Sequence, residues 1–236
     1  MEDLLSIRNL NIEARTRMGI VKVVNDLSFS IKKGETLGVV GESGCGKSVT
    51  ALSIMNLLPE GILSISSGDI VFDDVLITKL PENRLENIRG NDISMIFQEP
   101  MTSLNPLYTV GDQVSEVVRR HLGLNKDRSW AKAIELLDAV KIANPNKKAF
   151  DYPFQLSGGQ RQRVMIAIAL ACQPKILIAD EPTTALDVTI QAEILALINM
   201  LKKETGTAVM FITHDMAVVA QMADRVVVMY PGKKVE

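Results

Sequence analysis

The run Gly41-Glu42-Ser43-Gly44-Cys45-Gly46-Lys47-Ser48 constrains this chain more than any other feature, because it fits the pattern G-x-x-x-x-G-K-[ST]. Thr36 to Val40 before it is a short apolar strand, and Ser48 to Leu58 after it has helical character and closes at Pro59. Strand, glycine-rich loop and helix are what the chemistry requires. Glycines let successive backbone N–H groups curl around an anionic phosphate, and the helix N-terminus adds the positive end of its dipole. Lys47 is expected to neutralise the β and γ phosphates and the Ser48 hydroxyl to ligate Mg²⁺. Cys45 fills a position where the pattern accepts any residue.

The rest of the chain reads as an α/β protein. Residues 4–12 and 20–31 alternate apolar and polar side chains over much of their length, as half-buried antiparallel strands do. Ile70 to Phe72 and Ile93 to Phe97 are short apolar strands, with an unassigned stretch between them. From Thr109 to Val140 the spacing is helical, with Val114, Val117, Val118 and Leu122 followed by Ile134, Leu137 and Val140, so a helical subdomain is expected over residues 99–160. Strands then alternate with helices: 175–180, 209–213 and 225–230 are Val/Ile/Leu-rich, and Ile190, Ile194, Leu197, Ile198 and Leu201 form one apolar helix face. Such strands imply a mainly parallel sheet covered on both sides.

Composition narrows the function classes. With 26 basic and 28 acidic residues among 236, a net charge of −2 leaves no surplus to neutralise a nucleic acid, and 4% aromatics offer few stacking platforms. The longest apolar run, Val164 to Cys172, is too short to span a bilayer, the start Met1-Glu2-Asp3 is acidic rather than signal-like, and two cysteines suit a reducing cytoplasm. A mean hydropathy of +0.15 leaves room for an apolar surface covered by a partner.

A second acidic element follows. Residues 176–181 form an apolar strand ending in two carboxylates, which places them where a parallel sheet binds ligand. Asp180 is expected to hold Mg²⁺ and Glu181 to orient and deprotonate a water.

At Leu156-Ser157-Gly158-Gly159-Gln160 the chain resembles the signature of ATP-binding cassette (ABC) ATPases, and the resemblance extends over essentially all 236 residues. The spacings agree: Ser157 follows Lys47 by 110 residues, Asp180 follows Ser157 by 23, and His214 follows Asp180 by 34. Gln98 matches the Q-loop glutamine, Ala185-Leu186-Asp187 the D-loop and His214 the switch histidine; a lone histidine is more often structural, but the position after a strand in this array favours the switch role. The resemblance implies one cassette of P-loop NTPase fold over residues 1–236, with an N-terminal antiparallel β subdomain, a mainly parallel sheet and the helical subdomain. It implies ATP and Mg²⁺ as cofactors. Gly41, Glu42, Ser43, Gly44, Cys45, Gly46, Lys47, Ser48 and Val49 would hold the nucleotide, Ser48, Gln98 and Asp180 the metal, and Glu181, His214 and Gln98 would serve catalysis. Ser157, with bare N–H groups at a helix start, would cap its helix and, with Gly158, Gly159, Gln160 and Asp187, close on the ATP of a head-to-tail partner.

Residues 41–59, 97–106 and 178–195 look like the D-type ATPase subunit of dipeptide/oligopeptide importers, and nickel importers of the subgroup read similarly. The implied partners are a second, homologous F-type ATPase subunit (or a second copy of this chain), two membrane permease subunits and, indirectly, an extracytoplasmic substrate-binding protein. The implied place is the cytoplasmic face of the cell membrane, held peripherally. A cassette ATPase acting on nucleic acid is the alternative, but such proteins carry long coiled-coil insertions, and the segment between Lys47 and Ser157 has no sustained heptads. A non-hydrolysing regulatory module is a further alternative, against which Glu181 and His214 argue. Two departures from the family pattern stand out. Residues 1–28 contain no aromatic for adenine, leaving Arg15, Arg17 or Met18 to stack, and the chain ends at Val235-Glu236, where the usual C-terminal extension of importer relatives is missing. Glu99 to Tyr108 is expected to couple Gln98 to the helical subdomain and the permease, with bulky changes at Met101 or Leu104 expected to abolish permease-stimulated hydrolysis and uptake while sparing basal ATPase activity.

Overall fold

The computed structural model describes residues 2–184 and 186–235. In chain order the elements are β1 (Asp3–Thr16), β2 (Gly19–Lys32), β3 (Thr36–Gly41), α1 (Lys47–Ile54), β4 (Leu63–Phe72), β5 (Val75–Leu76), α2 (Glu82–Ile88), β6 (Ile93–Ile96), α3 (Pro100–Ser103), α4 (Val110–Leu122), α5 (Lys126–Ala139), α6 (Pro145–Lys148), α7 (Gly158–Leu170), β7 (Ile176–Asp180), α8 (Val188–Thr205), β8 (Ala208–Thr213), α9 (Met216–Met222), β9 (Arg225–Tyr230) and β10 (Lys233–Lys234). They form two compact units, one reaching from the N-terminus to Arg89 and resuming at Ala208, the other Gly90–Thr207.

In the first unit β2, β1, β4 and β5 form an antiparallel sheet in that order. Its apolar alternation changes phase midway: Leu5 and Ile7 are buried on β1, then Leu10 and Ile12, while β2 buries Val24, then Leu27, Phe29 and Ile31. A period-2 pattern changes phase only where an extra residue enters a strand. The extra residues are Asn9 (φ 46°) on β1 and Asp26 (φ 55°) on β2, and Gly68 (φ 94°) answers on β4, all beside shifts in strand register. Side chains bind this row together, with Asn9 Nδ2 donating to Asp26 Oδ1 at 2.8 Å and Asn11 Nδ2 to Ser67 Oγ at 3.0 Å.

The unit's second layer is parallel: β3 lies between β8 and β9, with Leu37 opposite both Met210 and Arg225, and β10 returns antiparallel on β9. β8 is buried throughout and β3 up to Val40, as the near-continuous apolar runs predict. β4 begins earlier than its apolar end suggests, because Ser64, Ser66, Ser67 and Gly68 mask its first half. The unassigned stretch holds β5, a 3₁₀ turn at Ile77–Lys79 and α2.

In the second unit β6 and β7 pair in parallel, and helices supply the remainder. The predicted helical run from Thr109 is two helices. Thr109 caps α4 by accepting Asp112 N–H, Gly123 ends it at φ 63°, and Asn125 caps α5 by accepting Arg128 N–H. Val114, Val118 and Leu137 are buried as expected, whereas Leu122 at the end of α4 is exposed. On α8 the apolar face buries Ile194, Leu197, Ile198 and Leu201. Among the described residues no helix is long and apolar enough to cross a membrane.

A Cβ at Gly68 would lie 2.4 Å from Asn9 O and 2.6 Å from Leu10 Cα, whereas one at Gly61 (φ 72°) meets nothing within 4 Å. Gly61→Ala should therefore cost about 1 kcal/mol, the left-handed backbone alone. Gly68→Ala adds a backbone collision and should cost about 3 kcal/mol or more. Urea denaturation of the two variants checks this; equal midpoints would show that the bulge row tolerates a side chain.

Candidate functional site

The phosphate loop leaves β3 at Gly41, where the backbone runs too close to β9 for a side chain: a Cβ there would sit 2.3 Å from Met229 O and 2.6 Å from Cys45 Sγ. The loop then turns through Gly44 (φ 80°) and Gly46 (φ 101°) into α1. Glu42, Ser43 and Gly44 are exposed, Ser48 and Val49 half-buried, and Cys45 is buried against the loop interior. Lys47 is 5% exposed, and its Nζ donates to Gly41 O at 2.7 Å and Glu42 O at 2.8 Å. Hydrogen bonds from a charged donor contribute about 1.5–3 kcal/mol each, so the loop carbonyls hold the ammonium in place. Gly46 has no side chain to cap α1 and no acid lies in the first turn, so no carboxylate of that turn opposes an anion at the helix start. The middle of β2 packs behind the loop, as a Cβ on Gly46 would touch Val23 O and Val24.

His214 follows β8 in the same unit. The register between β3 and β8 pairs Val40 with Thr213, so the phosphate loop and His214 emerge at the same edge of the sheet. His214 is exposed, and the residues beside it are pinned: Thr213 Oγ1 accepts Asp215 N–H at 3.0 Å, and Asp215 caps α9 by accepting Ala217 N–H and Val218 N–H.

In the second unit the same geometry recurs. Ile96 on β6 pairs with Ala179 on β7, so Gln98 and Glu181, each two residues further on, meet at the carboxyl edge of the pair. Gln98 Nε2 donates to Glu181 Oε2 at 3.1 Å. Asp180, the last residue of β7, is 4% exposed, whereas Glu181 turns out of the strand with φ 46°, a left-handed backbone uncommon outside glycine. Thr184 Oγ1 also donates to Glu181 Oε2, at 2.9 Å. Thr184 is a neighbour that sequence reasoning misses; the only local signal is the turn-forming Glu-Pro-Thr-Thr run.

The signature residues open α7. Ser157 caps the helix, its Oγ accepting Gln160 N–H at 3.3 Å while Gln160 Oε1 accepts Ser157 N–H at 3.1 Å, a reciprocal capping box. The Gln160 side chain is thus engaged at its own helix start. Gly158 and Gly159 form the first turn, facing Leu186 and Ile190. Asp187 caps α8, accepting Ile190 N–H at 3.0 Å. Ala185 of the D-loop lies outside the described residues. Arg15, Arg17 and Met18 lie at the turn end of the β1–β2 hairpin and are exposed, Met18 at 99%. In the coupling segment Leu104 is 3% exposed and cannot present itself to a partner, which corrects that expectation; Leu107, at 80%, and Tyr108 are exposed instead. The Met101 side chain lies outside what the structure describes.

The donor set suits ATP with Mg²⁺. Among the described residues no three His, Cys, Asp or Glu side chains converge on a cation. In the first unit the phosphate loop carries the Ser48 hydroxyl, and in the second β7 ends in the Asp180 carboxylate, each an oxygen donor of the kind that Mg²⁺ takes beside phosphate and water.

Comparison with known proteins agrees with this chemistry. Residues 24–184 match the ABC transporter family. The chain is 52% identical over 233 residues to the probable peptide ABC transporter ATP-binding protein y4tR of Sinorhizobium fredii, covering 99% of this chain and 70% of that one. It is 51% identical to the dipeptide transport ATP-binding protein DppD of Bacillus subtilis, covering 100% and 70%, and 51% identical to the oligopeptide transport ATP-binding protein OppD of Escherichia coli, covering 99% and 68%. Among solved structures it is similar to the dimeric ATP-binding cassette MJ0796 in a post-hydrolysis state bound to ADP and Pi, with a TM-score of 0.87, 30% identity and coverage of 98% and 97%. It is also similar to cbiO1 of Clostridium perfringens, part of the transporter complex cbiONQ, with a TM-score of 0.82, 28% identity and coverage of 100% and 88%. With the family matched over most of its length and relatives at half identity aligned along all of it, the chain belongs to the ABC transporter ATP-binding family, has the ABC ATPase fold and is an ATPase.

Proposed function

We propose that this chain is the ATP-hydrolysing subunit of an importer for di- and oligopeptides, acting as one cassette over residues 1–236 with a helical subdomain at 99–160. The observation that carries the chemistry is the meeting of Gln98 and Glu181 at the carboxyl edge of two parallel strands. The substrate class rests on about 50% identity to peptide-import subunits along the whole chain.

In this reading Gly41 to Val49 wrap the phosphates, with Lys47 against the β and γ groups. Ser48, Asp180 and Gln98 hold Mg²⁺, which when bound screens the phosphate charge. Glu181 accepts a proton from the attacking water, Gln98 orients that water, and His214 contacts the γ-phosphate. Ser157, Gly158, Gly159, Gln160 and Asp187 close on the nucleotide of a second ATPase subunit, arranged head to tail. Two permease subunits sit above this pair, with an extracytoplasmic binding protein beyond them, and the chain is held peripherally at the cytoplasmic face of the membrane.

Coupling to the permease is assigned to the segment after Gln98. Gln113 of α4 ties that segment down: its Oε1 accepts Asn105 N–H at 2.9 Å, and its Nε2 donates to Asn105 O at 2.9 Å and Tyr108 O at 3.0 Å. Loop and helix thereby move as one body. Beside them lies a cavity of about 680 Å³ lined by Ser103, Asn105, Tyr108, Asp112, Gln113 and Glu116 among others, large enough to receive a turn of a partner helix.

Four outcomes test this reading. Glu181→Gln should keep ATP binding yet lose steady-state hydrolysis by about 10²- to 10⁴-fold, the contribution of a general base, while Lys47→Ala should weaken nucleotide binding itself. Near-normal turnover in the first, or unchanged affinity in the second, removes that residue from its role. Replacing Leu107 or Tyr108 with a bulky charged residue should leave basal ATPase activity within about threefold while abolishing permease-stimulated hydrolysis and peptide uptake in vesicles. Uptake at the normal rate would sink the coupling assignment. With no aromatic among residues 1–28, ATP should be preferred over GTP only modestly in competition binding, since stacking tolerates either base. A preference of about a hundredfold, some 2.7 kcal/mol, would reveal a specific contact to the base edge.

A further inference from the structure

Glu181 carries a flexible side chain and leaves its strand in a left-handed backbone conformation, so neither its rotamer nor its local backbone follows from ordinary strand geometry. The next three residues supply the constraint. Pro182 occupies the second position of a turn, where its fixed φ favours closure, and Thr184 N donates to Glu181 O at 3.1 Å to close it. That backbone bond is all the turn requires. The Thr184 hydroxyl makes a separate contact, donating to Glu181 Oε2 at 2.9 Å, on the same oxygen that receives Gln98 Nε2 at 3.1 Å.

The two donors differ in what else they are asked to do. Gln98 stands on the segment after β6 and is drawn toward the cation and the attacking water in the function proposed above. Thr184 belongs to Glu181's own turn, so its hydroxyl stays with the carboxylate wherever Gln98 moves. We propose that Thr184 is a positioning residue, whose hydroxyl holds the Glu181 carboxylate in its working orientation through the cycle. The inference rests on Glu181 acting as the base. A base must be held to a fraction of an ångström and some tens of degrees to meet its proton, and a hydrogen bond from its own turn contributes to that hold.

The test separates the hydroxyl from the shape of the side chain and from the turn. Thr184→Val keeps the branched shape and the backbone N–H but removes the donor; Thr184→Ser keeps the donor. In the full chain, Thr184→Val should lower kcat about tenfold, the value of one hydrogen bond to a charged group, with KM for ATP, nucleotide affinity and melting temperature unchanged. Thr184→Ser should stay within about twofold of the parent chain. The two substitutions are then combined with Glu181→Gln in single-turnover measurements with enzyme in excess. If the hydroxyl acts through the carboxylate, Thr184→Val should add nothing in that background. Full activity in Thr184→Val, equal damage in Thr184→Ser, a rise in KM, or the same tenfold loss on top of Glu181→Gln would each overturn the proposal. Normal turnover in Glu181→Gln alone would overturn the base assignment itself, whereas an inactive Glu181→Gln beside an unaffected Thr184→Val would overturn only the role of Thr184.

Discussion

Parallel strands deliver residues at equal offsets to one edge of a sheet, and the chemistry of this chain depends on that alignment in each of its two units. In the first, Val40 pairs with Thr213, and the chain continues from one into the phosphate loop and from the other into His214. In the second, Ile96 pairs with Ala179, and two residues later Gln98 and Glu181 share a hydrogen bond. The strands themselves are apolar and buried, so their register is held by hydrogen-bond ladders and packing far stronger than any single polar contact at their ends. Shifting either pair by one residue would leave the polar groups intact and the site without its geometry.

The polar residues at these edges carry structural duties as well as chemical ones. Ser157 and Gln160 cap α7 between them, Asp187 caps α8, and the carbonyls of Gly41 and Glu42 hold the Lys47 ammonium. Capping satisfies N–H groups that a helix start would otherwise leave without partners, and it fixes the direction in which the remaining N–H groups point. The helix start at Ser157 is therefore already organised, and in the function proposed above an anion there would have little ordering to impose. Gln113 does comparable work away from the chemistry, joining α4 to the segment that follows Gln98.

Much of this was legible in the residues. The glycine pattern from Gly41 to Ser48 demanded a strand before it and a helix after it, and β3 and α1 stand there. The apolar spacing on α8 and the two β-strands of the N-terminal hairpin also followed from periodicity, which reflects burial on one face. What periodicity hid was where it breaks. The bulge row at Asn9, Asp26 and Gly68 changes the phase of three strands at once, and only the pairing of those strands shows that the three irregularities are one feature. Leu104 shows the same limit from the other side: its apolar character fits a partner surface and a core equally, and the structure buries it.

By itself, then, the amino-acid sequence determined the chemistry available to this protein and the local elements that carry it: a phosphate loop, an apolar strand ending in Asp180 and Glu181, and a serine-led helix start at Ser157. Those are properties of neighbouring residues, set by backbone conformation and periodicity over a few positions. Only the tertiary structure decided that Gln98 reaches Glu181 across 83 positions of chain and that Thr184 donates to the same oxygen. The physical reason is that hydrogen bonds between distant side chains depend on strand register and turn closure, which arise from packing that no local stretch of residues encodes on its own.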